Sequence, residues 1–266
     1  MKKPKIALVL SGGSSLGFAH VGVLKELIAE GILPDIVVGT SMGAVVGGAY
    51  ACGLSLDEMM KYAYKMSFAK FVDINFKPMG FFSGNKITSL LSKVYGDATN
   101  KDCICQFATI ACDIISGKQV VMTEGKVVDM VRASMNIPGL LVPIPYNDML
   151  LVDGGMVNNY PDDIARDLGA DIVIGVDVLR ESYCFAKPKS AVMALFNSMH
   201  LAQNTLYKYK PSYSDITLTP ILRDIDQTNY KREAIDKAIL EGRRECRERM
   251  EEIKAIIDDW RKDKKC

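Results

Sequence analysis

The sequence predicts an α/β fold of three layers, a mostly parallel central sheet covered by helices on both faces, with a helical C-terminal extension. Two observations predict the sheet and a third the extension. Short apolar runs alternate with amphipathic segments from residue 6 to residue 178, the β-α-β rhythm of parallel sheets. The runs, such as "IALVL" and "IVIGV", are apolar at every position, as strands buried on both faces are. Beyond Arg180 to Lys189 the chain turns helical and increasingly charged. At 266 residues and 48% hydrophobic content, one domain over 1–266 is expected. Its core lies at about 5–180 and its helical part at about 189–266.

The elements follow in order. Ile6 to Leu10 is a strand, and a Gly/Ser loop leads into a helix from about Gly17 to Glu30, with Val21, Leu24, Leu27 and Ile28 on one face and Gly31 at its end. Ile36 to Val38 is a second strand, with a helix after Ser41. Ser55 and Glu58 have capping-box spacing and open another helix. Gln106 to Ile115 and Lys118 to Thr123 read as a hairpin across Gly117, and Val127 to Met135 as a helix. After the proline-rich break at Pro138 to Pro145 come a strand at Met149 to Val152, a helix from Pro161 to Gly169 and a buried strand at Asp171 to Val178.

Charge excludes some partners. With 33 basic and 32 acidic residues, no global field draws in nucleic acid or an anionic membrane, and any lipid contact must be local. The first apolar run is too short for a signal peptide, and no later run reaches the length of a membrane span. A cytoplasmic protein with at most peripheral, transient membrane contact is expected. Seven cysteines without paired C-x-x-C spacing read as free thiols rather than a disulfide framework or a zinc site.

Two glycine-bordered motifs carry candidate chemistry. "GTSMG" places Gly39 and Gly43 two positions either side of Ser41. This is the pattern of a nucleophile elbow, in which a strained serine sits on a sharp strand-to-helix turn; a serine capping the next helix fits the same five residues. The loop "SGGSSLGF" has three readings. A P-loop fails because Phe18 and Ala19 follow Gly17 where Lys and Ser or Thr are needed. A dinucleotide fingerprint fails at Ser14, and the second strand ends in Gly39-Thr40-Ser41 instead of an acidic residue. An oxyanion hole built from the backbone amides of Gly12, Gly13 and Ser14 fits, since adjacent parallel strands end at one crevice.

Ser41 needs a base. His20, one turn into the first helix, and His200, in the late helical region, are the two histidines, and neither sits on a loop at a strand end. A third strand end offers a carboxylate in "LVDGG", where Asp153 precedes Gly154 and Gly155. An ordinary Asp-Gly turn fits D-G-G as well. A carboxylate near its reference pKa of about 3.9 is a poor base unless proton transfer is concerted with attack.

In order, the glycine loop, "GTSMGAVVGGAYACG", "VRASMNIPGLLVPI" and "LVDGGMVNNYP" resemble the patatin-like phospholipase family, lipid acyl hydrolases with a Ser-Asp dyad. The resemblance runs from Ile6 to about Val178. It implies that Ser41 is the nucleophile, Asp153 the base and the loop from Gly12 to Gly17 the oxyanion hole, with a lipid or ester substrate and no metal or nucleotide cofactor. Other activities on the same fold are neutral-ester hydrolysis, thioester hydrolysis, or binding without turnover. Two positions depart from the family pattern: Ser14 replaces a glycine, and Leu16 stands where a basic residue is usual.

Three segments are candidates for lipid contact. "FKPMGFFSG" groups Phe76, Met79, Phe81 and Phe82 around Pro78 and Gly80; core packing is expected for these aromatics, with channel lining or bilayer contact as the alternative. "AVMALFNSMHLAQ" is expected to cover the sheet rather than act as a lid. A last helix carrying Ile235, Ile239, Cys246, Met250, Ile253, Ile257 and Trp260 is expected to pack on the domain.

Overall fold

A computed structural model describes residues 3–67, 73, 79–181, 187–207 and 209–264. Its sheet contains β1 (Ile6–Leu10), β2 (Ile36–Thr40), β3 (Gln106–Asp113), β4 (Gln119–Met122), β5 (Ile144–Tyr146), β6 (Met149–Asp153), β7 (Ile172–Val176) and β8 (Ile216–Leu218). The spatial order is β5-β6-β3-β2-β1-β7-β8, with β4 paired to β3. From β3 through β8 the strands are parallel; β4, β5 and β6 run antiparallel to their neighbours. The sheet is therefore mixed and mostly parallel, as the β-α-β rhythm predicts.

Alternation along β1 divides the core. Ile6, Leu8 and Leu10 face one apolar cluster and Ala7 and Val9 the other, so no position is left for a polar residue. The larger cluster receives α1 (Ala19–Ala29), α2 (Met42–Ala51), α3 (Leu56–Ala63), α4 (Asn85–Tyr95) and α5 (Val127–Ser134). The opposite face is covered through Tyr160 and by Ile164 and Ala165 of α6 (Asp162–Asp167). α7 (Ala191–Tyr207) follows, then α8 (Arg232–Glu248) and α9 (Met250–Asp263).

The predicted last helix is two helices meeting at Arg249. Its apolar stripe is nevertheless buried at Ile235, Ile239, Cys246, Met250, Ile253 and Ile257, and packs on the domain as expected. The contact with α1 is a close backbone crossing. A Cβ on Gly22 would lie 2.1 Å from the Ile239 carbonyl oxygen, and one on Gly242 2.0 Å from that of Ala19. Beside it, the nearly buried Glu26 carboxylate accepts from Arg243 Nε at 2.7 Å and Arg247 Nε at 2.6 Å.

Four further elements were not expected as such. The residues before α1 form a 3₁₀ turn, Ser14–Phe18, so the predicted helix begins later, at Ala19. α4, β5 and β8 have no counterpart in the predicted elements. The Ser55–Glu58 capping box is present at the start of α3. Cys52, Cys103, Cys105, Cys112 and Cys246 are free thiols; Cys184 and Cys266 lie outside the described residues. Among the described residues no helix is long and apolar enough to cross a membrane.

Candidate active site

Strand register brings Ser41 and Asp153 together. Thr40 on β2 pairs with Ile110 on β3, and the next residue of β3, Ala111, pairs with Asp153 on β6. Because β6 runs antiparallel, it enters from beyond the end of β3 and finishes at the height of Ser41. The two residues are two strands apart, about 10 Å between backbones, and their side chains reach toward each other across β3. Ser41 Oγ donates to Asp153 Oδ2 at 2.7 Å.

Ser41 has φ 52 and ψ −119, a strained conformation for a side chain with a Cβ, with a cost of about 1–3 kcal/mol. The elbow is held by close packing at its two glycines. A Cβ on Gly39 would lie 2.5 Å from the Gly43 carbonyl, and one on Gly43 2.1 Å from that of Leu10. The Ser41 side chain makes no capping bond to α2, so the helix-cap reading is set aside. Its backbone N–H donates to Ser134 Oγ at 3.0 Å, which ties the elbow to the end of α5.

Asp153 is 3% exposed. Burial pushes its carboxyl up to about 6, against hydrogen bonds from the Gly155 N–H and the Ser41 hydroxyl. The first of these bonds is 2.8 Å to Oδ1, and leaves Oδ2 for the serine. A group titrating near 6 is far better matched to neutral pH than the reference carboxylate. Gly154 sits where a Cβ would lie 2.1 Å from the Ile110 carbonyl oxygen, and the Asp153 N–H donates to the Asn136 carbonyl at 2.8 Å. Asn136 is itself fixed by Nδ2 bonds to the Val142 and Leu151 carbonyls, both 3.1 Å.

The glycine loop lies against the elbow, as the adjacency of β1 and β2 requires. A Cβ on Gly12 would come 3.1 Å from Ser41 Cβ and 2.3 Å from Asn159 Oδ1. One expected donor is corrected. The Gly12 N–H donates to the Asn159 carbonyl at 3.1 Å, and Asn159 Nδ2 donates to the Gly12 carbonyl at 3.2 Å. Gly12 therefore provides close approach, and the amides of Gly13 and Ser14 remain as the candidate pair. Ser14 has φ 50 and its Oγ lies 3.0 Å from Tyr230 Oη; the next residue, Ser15, donates its N–H to the Gln227 carbonyl at 3.1 Å. Gly17 makes room for Met42, whose Cγ would be 2.4 Å from a Cβ there.

Neither histidine is bonded to this pair. His20 is fully buried with Nε2 2.8 Å from the Ser11 carbonyl, and burial pushes it down to about 4. His200 is buried against Phe196, with ring centroids 6.3 Å apart, and is likewise pushed down to about 4.

Beside Ser14 and Met42 opens a mainly apolar cavity bounded also by Phe82, Leu141, Phe196 and Tyr230. Of the aromatic cluster, Phe82 thus lines the cavity, while Phe81 is 72% and Met79 51% exposed, against the expected core packing. Phe76 and Pro78 lie outside the described residues. α7, expected to cover the sheet, packs instead on the turn after Asp153, where Gln203 Nε2 donates to the Gly155 carbonyl at 2.9 Å, and Phe196 supplies a cavity wall.

Ser134, Asn136, Asn159 and Tyr230 were not singled out from sequence. The first three lie inside the motif stretches around "ASMN" and "VNNYP", where polar residues in otherwise apolar surroundings are the available signal. Tyr230 has no local signal.

The chain is 38% identical over 181 residues to Patatin-like phospholipase domain-containing protein 7 of Rattus norvegicus, covering 65% of this chain and 13% of that protein. Over 179 residues it is 36% identical to Lysophospholipase nte1 of Emericella nidulans, covering 65% of this chain and 12% of that one. It therefore spans a small part of these curated relatives. The crystal structure of VipD from Legionella pneumophila superposes with a TM-score of 0.67 at 13% identity, over 93% of this chain and 66% of that one, which shows a shared fold. The family model described as Patatin-like phospholipase matches residues 8–166, the stretch that holds the glycine loop, the elbow and Asp153, and the chain belongs to the patatin-like phospholipase family.

Proposed function

We propose that this protein is a serine acyl hydrolase of lipid esters that works through a Ser41–Asp153 dyad. The 2.7 Å bond from Ser41 Oγ to Asp153 Oδ2 is the observation that carries the reading. Ser41 Oγ attacks the ester carbonyl while its proton passes to Asp153 Oδ2. The amides of Gly13 and Ser14 receive the oxyanion. The tetrahedral intermediate collapses with proton return from Asp153 to the leaving alcohol, which yields an acyl-enzyme. Asp153 then takes a proton from water as the water attacks the acyl-enzyme, and returns it to Ser41 Oγ as that oxygen leaves, which releases the fatty acid and regenerates the dyad. The neighbouring cavity favours an acyl chain on the carbonyl side, and the family membership favours a lipid. Incubation with a fluorophosphonate probe tests the reading directly: labelling at Ser41 supports it, and labelling of a different serine overturns it.

Leu16 bears on the substrate. It is 4% exposed and belongs to the main apolar cluster, so the position supplies packing instead of a cation. Leu16→Arg is accordingly expected to bury an unpaired guanidinium and to destabilise the fold by about 2–4 kcal/mol, read as a fall in Tm. An arginine variant with unchanged Tm and faster phospholipid turnover would show that the site accommodates and uses the charge.

A further inference from the structure

Next to the cavity beside Ser14 and Met42 lies a second apolar hollow, bounded among others by Val46, Ala49, Leu54, Ala63 and Leu91. Met66 lines both. Each hollow is narrow and partly open to solvent. They follow the same two helix faces. Along α2 the lining passes from Met42 in the first to Val46 and Ala49 in the second, and along α4 from Ile87 to Leu91 and Val94. These are steps of three, four or seven residues, so each face is continuous. From Met42 to Ala49 the helical rise covers about 10 Å.

The chemistry of the walls changes along this path. Hydroxyls of Ser14, Thr228 and Tyr230 line the first hollow, at the glycine-loop end, whereas the phenol of Tyr62 is the polar side-chain group lining the second. No charged side chain lines either one among the described residues. A ligand with a polar head at Ser14 and an unbranched apolar tail matches that gradient. The junction is a methionine that is 7% exposed and follows the end of α3, an unbranched side chain able to adopt several rotamers and fit an irregular gap.

We infer that the two hollows form one acyl channel in which Met66 is the specificity-determining junction: short chains end in the first chamber and long chains pass Met66 into the second. The inference rests on the Ser41–Asp153 reading. An acyl tail seated in the second chamber gains about fourfold in kcat/KM per buried methylene, so long-chain esters are the preferred substrates.

The test measures kcat/KM for butanoyl, octanoyl, dodecanoyl and hexadecanoyl p-nitrophenyl esters, together with fluorophosphonate labelling of Ser41, on the full chain. Met66→Ala widens the junction and is expected to raise the ratio of hexadecanoyl to octanoyl turnover. Ala63→Phe fills the second chamber and is expected to lower that ratio by about fourfold for each methylene displaced. Leu90→Trp, at a half-buried position on the rim of the same chamber, gives a second filler should the buried phenylalanine prevent folding. A ratio taken within one variant is independent of the fraction folded, and a purely structural role would move all chain lengths together. Ratios unmoved in variants that still label at Ser41 overturn the channel alone. A wild-type protein that fails to label at Ser41 overturns the dyad and the channel with it.

Discussion

Ser41→Ala is expected to abolish fluorophosphonate labelling and to reduce ester hydrolysis by about 10⁴-fold or more. In the proposed mechanism the loss of Oγ removes the nucleophile while the turn stays intact. Alanine carries the same Cβ at the same positive φ, and the close contacts at Gly39 and Gly43 are untouched. The Tm of the variant should therefore lie near that of the wild type. Residual hydrolysis close to wild type in a folded Ser41→Ala protein would assign the chemistry to another group.

Asp153→Asn separates catalysis from stability. The amide oxygen can still accept the Gly155 N–H, but the amide nitrogen then faces Ser41 Oγ as a donor and takes no proton. The expected loss in kcat is about 10⁴-fold, comparable to that for a triad aspartate replaced by asparagine. The wild-type profile of kcat/KM should rise with pH through about 6, where Asp153 ionises, and that limb should be absent from any residual activity of the variant. Stability moves the other way. The folded carboxyl holds its proton to a higher pH than the unfolded one, so the folded state binds more protons between about 4 and 6 and loses stability as pH rises through that window. Asparagine avoids ionisation in the buried site. At pH 7 the variant should be more stable than the wild type by on the order of 2 kcal/mol, measured by denaturant unfolding. A wild-type profile flat down to pH 4, with Asp153→Asn fully active, would remove the residue from the mechanism.

The sheet was legible because burial on both faces leaves a continuous apolar run, as at Ile6 to Leu10 and Ile172 to Val176. Edge strands carry no such mark. β5 and β8 have three residues each, too few for a pattern to stand out from a loop. α4 has Ile87, Leu91 and Tyr95 buried at spacings of four, a helical signal without a side-chain cap at Gly84 to announce its start. The break between α8 and α9 falls at Arg249 with neither proline nor glycine there, and the apolar stripe runs through it unchanged.

The site divides along the same line. Ser41 and Asp153 were readable because local backbone demands bring glycines to their flanks. The neighbours that position them act over long sequence separations, and nothing local in the chain marks a partner such as Tyr230 for Ser14. The most instructive error concerned Gly12. A glycine beside a candidate nucleophile suggests a donor amide, but the Asn159 carbonyl already accepts its N–H, and its lack of a side chain is what the approach to Ser41 requires.

The dependence of the glycine loop on distant residues bears on biogenesis. Ser14 and Ser15 are bonded to Tyr230, Gln227 and the Asp226 carbonyl, and the first helix crosses α8 through Gly22 and Gly242. The glycine-loop part of the crevice is thus completed by residues more than 200 positions further along the chain. Contacts between such remote segments close late and slow folding. Ribosome-bound chains stalled with residues up to 220 emerged are expected to react poorly with a fluorophosphonate probe, and chains with α8 and α9 emerged to react fully, although Ser41 and Asp153 have emerged in both. Equal reactivity at the two lengths would mean that the loop organises without its C-terminal partners. The coupling otherwise withholds an organised glycine loop from the crevice until residues 226–242 have been made.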